Sequence, residues 1–457
     1  MMRIMKFLSV MCAVALMSAP AEVLAASAGH EASAPPLFSV IPFILMLLSI
    51  AIIPLKWEHW WEDNNNKLKV AMILGIPMGV YFAFADHVAL LHVLEEYIAF
   101  IIYVAALFII SGGIVIRGSV KVTPMLNLLF LTIGGCIASF IGTPGASMLL
   151  IRPLLRINAG RKHIVHTVVF FIFIVSNIGG CLTPLGDPPL FLGYLQGVPF
   201  SWTFGLWKEW ALTVALLLAL YFVIETILYK KDTITEPTEK LPFSITGNIN
   251  FAWIAGVVCC IAFLPTVLEG IGLEHYLFPI RELVLVGLIF MSLKTTSKAL
   301  REENKFTYHP ILEVAYLFIG IFLTMIPALV LLQTRGGELG VTSPLQFFWF
   351  TGILSSFLDN APTYLSFFKL AQGMQMAGET VAATAVTPII LKAISLGAVF
   401  MGANTYIGNG PNFMVKAIAD ESGIKMPSFG GYMVWSFGIL IPIFLLVTTL
   451  SFVLNLL

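Results

Sequence analysis

Apolar runs of about 20 residues, separated by short polar segments, recur along the chain, and a run of that length can span the hydrocarbon core of a bilayer as an α-helix. The pattern predicts uninterrupted transmembrane helices at residues 37–55, 70–90, 97–116, 211–229, 251–268, 277–293, 311–332 and 432–457. Between them lie two regions in which glycine, proline and polar residues interrupt the apolar runs. We therefore expect an all-α polytopic membrane protein.

The composition supports a membrane protein and excludes several other classes. Hydrophobic residues make up 58% of the chain and charged residues 11%, whereas charged residues supply about a quarter of a globular protein. Lys and Arg together number 25, as do Asp and Glu, so the chain lacks the basic field of a nucleic-acid-binding protein. The 5 cysteines include no CxxC pair, which argues against structural zinc and a disulfide framework. Because no Walker A or GxSxG motif occurs, we expect neither an enzyme nor a bound cofactor.

Residues 1–25 have the features of a secretory signal peptide: a basic start, an apolar stretch, and small residues before a cleavage position after Ala25. An uncleaved first helix is the alternative. Basic residues cluster after the predicted spans, at Lys56, Lys67, Lys69, Arg117, Lys121, Arg152, Arg156, Arg161, Lys162, Lys230, Lys231, Lys294, Lys298, Arg301 and Lys305. By the positive-inside rule, all of them face the cytoplasm if the mature N-terminus lies outside. We expect a multi-pass protein of a bacterial inner membrane, with residues 231–249 as a cytoplasmic linker.

Two pairs of matching segments indicate an internal repeat. TPLGDPPLF (183–191) matches TYIGNGPNF (405–413), with Asp187 exchanged for Asn409. Upstream, IASFIGTPGAS (137–147) resembles LSSFLDNAPTY (354–364). The two matches have similar offsets and the same order, which indicates duplication of residues 26–230 as residues 250–457.

Each repeat is predicted to contain three spans, a re-entrant hairpin, a broken span and a final span. The hairpins fall at about residues 125–158 and 344–371, and the broken helices at about 164–198 and 387–420. An odd number of crossings inverts the second copy, so the two hairpin tips should meet near the midplane. Many secondary transporters build their substrate site from inverted repeats and discontinuous helices in this way.

Polar residues at the four interruptions are the candidates for a binding site, because irregular backbone at membrane depth must be buried in protein or line a cavity. They are Thr143, Asn177, Thr183, Asp187, Ser356, Asp359, Asn360, Asn404, Thr405 and Asn409. Their carboxylate, amide and hydroxyl oxygens suit Na⁺. Asp187 and Asp359 are the acids among them and could bind Na⁺ or a proton alternately.

Each candidate also has a structural interpretation. Asp187 and Asp359 could simply cap the helices that follow them, and the asparagines could satisfy backbone groups freed by the breaks. Lys392 could balance a buried acid or extend to the interface. His163 and His166 are expected at solvated positions, and Glu225 at the interface.

The segments SNIGGCLTPLGDPP (176–189) and SSFLDNAPTYLSFF (355–368) resemble the signature loops of the ion transporter superfamily. The resemblance is nearest to its sodium/proton antiporters of the NhaD type, in the branch that also contains arsenite permeases and citrate transporters. It implies a scaffold domain, a transport domain of two hairpins and two broken helices, a homodimer, and an elevator-like motion. By the family pattern, the polar site residues are Asn177, Asp187, Ser356, Asp359, Asn360 and Asn404. Antiporters of this type tend to have an acid–amide pair in the first hairpin too, where this chain has Gly142 and Thr143.

The leading hypothesis is a Na⁺(Li⁺)/H⁺ antiporter in which Asp359 and Asp187 bind the cation or the proton. The alternative is a Na⁺- or H⁺-coupled carrier of citrate or a related carboxylate, with the acids holding the coupling ion and helix N-termini holding the anion. Arsenite-type efflux is a third hypothesis. The antiporter is favoured because Lys392 is the one basic residue near the predicted cavity. The expected partners are membrane lipid, small inorganic cations and protons.

Overall fold

The computed structural model describes residues 35–118, 122–232 and 244–457, and α-helices form nearly all of their regular structure. In chain order they are α1 (Ile41–Lys56), α2 (Glu58–Glu62), α3 (Asn64–Ala85), α4 (His87–Ser111), α5 (Pro124–Ile141), α6 (Thr143–Ile157), α7 (Val165–Ile174), α8 (Pro188–Leu195), α9 (Trp207–Tyr229), α10 (Ile249–Gly270), α11 (Leu277–Thr295), α12 (Lys298–Glu303), α13 (His309–Arg335), α14 (Pro344–Phe357), α15 (Asn360–Gly373), α16 (Pro388–Met401), α17 (Gly410–Glu421) and α18 (Phe429–Thr448). The all-α prediction is confirmed. The predicted signal peptide and residues 233–243 of the predicted linker lie outside the described residues.

Within the described ranges, 10 helical segments are long and apolar enough to cross a membrane. Eight of these correspond to the predicted spans, and the other two are Pro124–Ile141 and Val165–Leu182. The latter two fall in the first predicted hairpin and the first predicted broken helix, so by length alone each could cross as a single span. Apolar side chains such as Phe84, which is 90% exposed, form the surface that would contact lipid.

Several predicted boundaries differ from the structure, and two of the differences have a clear cause. The span predicted to run to residue 90 ends at Ala85, because Asp86 is the N-cap of α4 and accepts a hydrogen bond from the backbone N–H of Ala89 (3.0 Å). The end of the span predicted at 97–116 is instead part of a strand, β1 (Val115–Arg117), which pairs antiparallel with β2 (Ser244–Thr246). The apolar pattern of Val115 and Ile116 could not distinguish a helix end from a strand.

The helices form two packed groups. In one, α3 and α4 pack against α13, and α10 and α4 against α11; Phe100 stacks on Phe318 there with 4.8 Å between ring centroids. The other group contains the interrupted segments. The first hairpin is α5 and α6, joined at Gly142, and the second hairpin is α14 and α15, joined at residues 358–359.

The broken helices complete the second group. The first broken helix consists of α7, the 3₁₀ turn Ile178–Leu182 and α8, and the second consists of α16, the turn Gly402–Asn404 and α17. The two halves of the chain interlock here, since α8 packs against α15 of the second hairpin and α17 against α6 of the first hairpin. α7 is buried on all sides, which is why its residues after His166 and Thr167 are all apolar rather than amphipathic in pattern.

A buried ionic cluster holds the first broken helix to α9. Glu225 is fully buried and accepts hydrogen bonds from Arg161 (2.6 and 3.1 Å), His166 (2.7 Å) and Asn127 (2.9 Å). His166 is only 2% exposed. The interpretations of Glu225 as interfacial and His166 as solvated are therefore wrong, because their partners come from segments far away in the chain.

We expect Arg161→Gln to lower the free energy of unfolding by about 3–5 kcal/mol, since it removes the main cationic partner of a buried carboxylate. Arg117→Gln is the control, because Arg117 pairs with Glu303 at a partly exposed position where an ion pair contributes about 1 kcal/mol or less. The measurement is denaturant unfolding of the purified protein in detergent. Equal effects of the two substitutions would contradict the structural role of the cluster.

Asp232 extends this cluster outside the membrane-spanning segments. Its carboxylate accepts hydrogen bonds from Arg161 Nε (3.0 Å) and from His163 Nδ1 (2.6 Å) and backbone N (3.2 Å). Burial raises the pKa of Asp232, but the hydrogen bonds from His163 and Arg161 outweigh it, so the pKa lies below its usual value. These contacts therefore stabilise the fold above the unfolded-state pKa of about 4 and are lost as the pH falls through the lower folded-state pKa.

Asp232→Asn is accordingly expected to lower the free energy of unfolding at pH 7 by about 1.5–3 kcal/mol, the range for hydrogen bonds to charged groups. The difference from the wild type should shrink as the pH falls below about 4, where the wild-type carboxylate also protonates. Unfolding in detergent at several pH values measures this, with Glu302→Gln as an exposed control. A difference that is the same at pH 3 and pH 7 would rule out the ionised carboxylate as its source.

Candidate functional site

Asp187 lies at the centre of the interrupted segments, between the 3₁₀ turn of the first broken helix and α8. The loop before it is fixed by Thr183, whose hydroxyl donates to the backbone carbonyl of Ser139 and accepts from the backbone N–H of Leu185. Pro188 and Pro189 then start α8, as their fixed φ favours at the first helical positions. Asp187 is fully buried as a result.

The carboxylate of Asp187 receives hydrogen bonds from three separate segments. Oδ1 accepts from Thr143 Oγ1 (2.6 Å) and Asn409 Nδ2 (3.0 Å), and Oδ2 accepts from Asn360 Nδ2 (2.6 Å). Thr143 begins α6 of the first hairpin, Asn360 begins α15 of the second hairpin, and Asn409 precedes α17 of the second broken helix. One buried carboxylate thus connects all four interruptions.

The two acids of the interruptions have different surroundings. Asp187 occupies the N-cap position of α8, but its side chain makes no capping hydrogen bond. Asp359 does cap its helix, since its carboxylate accepts from the backbone N–H of Ala361 (3.1 Å). Asp359 is also only partly buried. The capping interpretation therefore describes Asp359 and does not describe Asp187.

Equivalent contacts occur in both halves. The hydroxyl of Thr405 donates to the backbone carbonyl of Ser356, as that of Thr183 does to Ser139. Thr143 and Asn360 occupy matching positions in the two aligned hairpin tips, and both donate to Asp187. The exchange of Asp187 for Asn409 breaks this equivalence and leaves one central acid.

The comparison with known families decides the class of protein. A family model described as putative citrate transport matches residues 32–452 of the chain. The chain belongs to this family. Together with the apolar helices, membership makes it a multi-pass membrane transporter. No curated protein matches the chain.

The asparagines of the transporter form a connected network beside Asp187. Asn177 Nδ2 donates to the backbone carbonyl of Ile172 (2.8 Å) and to Asn412 Oδ1 (2.7 Å), while its own Oδ1 accepts from Asn409 (3.2 Å). Asn412 satisfies the backbone carbonyls of residues 402 and 405. Asn177 and Asn412 thus satisfy backbone groups freed by the breaks. Asn177 also accepts a hydrogen bond from Asn409, the residue whose amide nitrogen contacts Asp187.

Two buried amide oxygens of the interrupted segments accept no hydrogen bond. They are Oδ1 of Asn360 and Oδ1 of Asn404; the Nδ2 of Asn404 donates to Ser356 Oγ (2.9 Å). A buried acceptor without a donor costs about 1–3 kcal/mol, which a bound cation would offset. The described residues contain no group of three His, Cys, Asp or Glu side chains that could hold a metal. Carboxylate and amide oxygens are ligands that suit hard cations.

Helix N-termini supply the positive potential around Asp187. Four helices begin around Asp187: α6 at Thr143, α8 at Pro188, α15 at Asn360 and α17 at Gly410. Thr143 and Asn360 donate hydrogen bonds to Asp187. Pro188 follows Asp187 in the chain, and Gly410 follows Asn409. The positive ends of helices stabilise a negative charge. Within the described part of the chain, neither Arg nor Lys forms an ion pair with Asp187, and its hydrogen-bond donors are neutral side chains.

Lys392 lies elsewhere in the transporter. Its ammonium group pairs with Glu209 (2.7 Å), a fully buried acid at the start of α9 that also accepts from Ser451 (3.2 Å). The sequence did not indicate Glu209 as a site residue, because an acid at the start of a span resembles an interfacial one. This pair joins the second broken helix to α9.

Proposed function

We propose that this family member exchanges Na⁺ or Li⁺ for protons, and that Asp187 binds the cation and the proton alternately. The observation that carries the proposal is a fully buried carboxylate whose described hydrogen-bond donors are all neutral: Thr143, Asn360 and Asn409. A buried charge without a fixed counter-ion is costly. A proton or a cation from solution therefore gains free energy by binding there.

The oxygen donors around this carboxylate support a small cation. The unpartnered Oδ1 of Asn360 is on the same side chain whose nitrogen contacts Asp187. Asn404, in the turn of the second broken helix, has another unpartnered buried oxygen. Asp359 is adjacent to Asn360 and is the second acid that the sequence assigns to the site. In this proposal its main role is to cap the N-terminus of α15.

Neutralisation of Asp187 would weaken the contacts between the two halves. Hydrogen bonds to a charged acceptor are roughly twice as strong as those between neutral groups. Thr143 of the first hairpin and Asn360 of the second both donate to Asp187, so binding of a proton or Na⁺ changes the strength of both contacts. Binding of an ion at Asp187 is thereby linked to the movement that opens the site to one side of the membrane and then to the other. The family resemblance implies that this movement is an elevator-like motion within a homodimer.

Coupled transport of citrate or a related carboxylate is the second candidate, and it has its own support. The family is described as putative citrate transport, and helix N-termini converge on Asp187. If a proton or Na⁺ neutralised Asp187, these N-termini could hold a substrate carboxylate. Within the described residues, no Arg or Lys forms an ion pair with Asp187. A site for citrate would have to balance several negative charges, so this lack of basic partners favours the exchange of cations.

Everted membrane vesicles from a host without its own antiporters distinguish the two functions. A pH-gradient dye reports proton movement when NaCl, LiCl, KCl or choline chloride is added, and labelled citrate reports carboxylate uptake. Antiport predicts a dye response to Na⁺ or Li⁺ that citrate does not alter. Citrate uptake that depends on Na⁺ or a proton gradient, without a cation response in the absence of citrate, would replace antiport by coupled carboxylate transport.

A further inference from the structure

A polar cavity lies away from Asp187, at the other end of α6. It has a volume of about 440 Å³ and is lined by α6 and the residues just after it, by Glu303 and Lys305 around the end of α12, and by residues 422–424 after α17. These segments belong to the first hairpin, the group of helices around α13, and the second broken helix. The cavity is therefore formed where both packed groups meet.

The charges that line this cavity are mainly positive. Arg152, Arg156, Arg161 and Lys305 face it together with one acid, Glu303. Arg161 is already bound to Glu225 and Asp232, and Glu303 is bound to Arg117. The remaining three cations form no ion pair within the described ranges, so the cavity has an excess of positive charge.

The two arginines of α6 are held close together without a bonded counter-ion. Arg152 and Arg156 are four residues apart on one helix, where side chains are neighbours and like charges repel. The Nε of Arg152 is buried and has no hydrogen-bond partner. An anion in the cavity would reduce the repulsion between these two guanidinium groups.

The third cation is held by an unusual backbone. Lys305 has a φ of 49°, a left-handed conformation that is uncommon for residues other than glycine, asparagine and aspartate. Asn304 fixes the loop by donating to the backbone carbonyls of Gly112 (3.1 Å) and Ile114 (3.3 Å). The loop that carries Lys305 is thus anchored beside β1, at the rim of the cavity.

We propose that this cavity binds a phosphate group, supplied either by the headgroup of an anionic phospholipid or by free phosphate. Arginine presents a planar fork of donors that matches phosphate oxygens, and the volume is within the usual range for ligand sites. Basic pockets between membrane helices at the cytoplasmic end bind anionic headgroups, and the positive-inside pattern predicts that end here. Arg152 lies nine residues after Thr143 on α6, or about 14 Å along the helix, so this site is separate from Asp187.

Thermal unfolding of the full-length protein in detergent tests the proposal. Phosphatidylglycerol or sodium phosphate is added to the wild type and to Arg152→Gln/Arg156→Gln, with phosphatidylcholine and NaCl of equal ionic strength as reference additions. The matched control is Lys294→Gln/Lys298→Gln, which removes two exposed cations that do not line the cavity. Lys305→Gln, at an exposed position, tests the same cavity if the arginine double variant does not fold.

We expect at least one of the two probes to raise the unfolding midpoint by several degrees in the wild type and the control, with most of the shift lost in the cavity variants. A shift with phosphatidylglycerol alone identifies a lipid headgroup, and a shift with free phosphate as well identifies a soluble anion. No shift with either probe, or equal shifts in the wild type and the cavity variants, would overturn the proposal. The basic residues would then serve only to orient the protein in the membrane. The result does not depend on the transported ion.

Discussion

Asp187→Asn is expected to abolish cation-dependent proton movement while the protein stays folded and in the membrane. Asparagine keeps the shape of the side chain but cannot bind a proton or balance a cation by its charge. Its amide nitrogen would replace either the oxygen that accepts from Asn360 or the oxygen that accepts from Thr143 and Asn409. A donor would then face a donor, and a destabilisation of about 1–3 kcal/mol from an unpaired buried group is expected. The measurement is the dye response in everted vesicles, normalised to the amount of transporter.

Two further Asp→Asn variants make this prediction specific. Asp63→Asn is the control, because Asp63 is an exposed N-cap and asparagine caps a helix equally well. Asp359→Asn should retain more transport than Asp187→Asn, since asparagine also preserves the N-cap of α15. Equal loss in Asp359→Asn and Asp187→Asn would show that both acids carry ions, as the sequence alone suggested. Wild-type transport by Asp187→Asn would remove this residue from the ion site.

Gly186→Ala is the second substitution for which we expect loss of transport. A Cβ at this position would lie 2.0 Å from the backbone oxygen of Gly180 and 2.6 Å from its carbonyl carbon. These obstacles are backbone atoms, which cannot rotate away. The carbonyl of Gly186 also accepts the backbone N–H of Thr143 (2.8 Å), so a shift of residue 186 would displace both Asp187 and its donor Thr143.

The expected destabilisation by Gly186→Ala is about 3 kcal/mol, the upper part of the range for overpacking. Gly205→Ala is the matched control, because no heavy atom lies within 4 Å of the position that its Cβ would occupy and its φ is not positive. Unfolding in detergent and the vesicle assay measure stability and transport on the same preparations. Normal transport by Gly186→Ala would contradict this prediction. It would show that residues 180 and 186 can move apart without disturbing the site.

The spans could be predicted from the sequence because length and hydrophobicity are local properties. The equivalence of Asp187 and Asn409 followed from the internal repeat alone. In contrast, the partners of Glu225 come from α5, α7 and the loop after α6, and no local pattern contains that information. Glu209 was missed for the same reason, since its partner Lys392 is far away in the chain.

The contacts of the two acids at the interruptions also required the structure. Asp187 and Asp359 both precede the start of a helix in a proline-containing segment, so capping and ion binding were open for each. The structure separates them by one capping hydrogen bond, which Asp359 makes and Asp187 does not. Such a distinction depends on side-chain direction, which a motif does not specify.

Proton release from the purified transporter on addition of Na⁺ is the most direct test of alternate binding at Asp187. The protein is held in weakly buffered detergent solution with a pH-indicator dye, and choline chloride controls for ionic strength. We expect saturable, Na⁺-dependent release from the wild type and from Asp63→Asn, and none from Asp187→Asn. Undiminished proton release by a folded Asp187→Asn protein would contradict the assignment of Asp187 as the group that exchanges a proton for the cation.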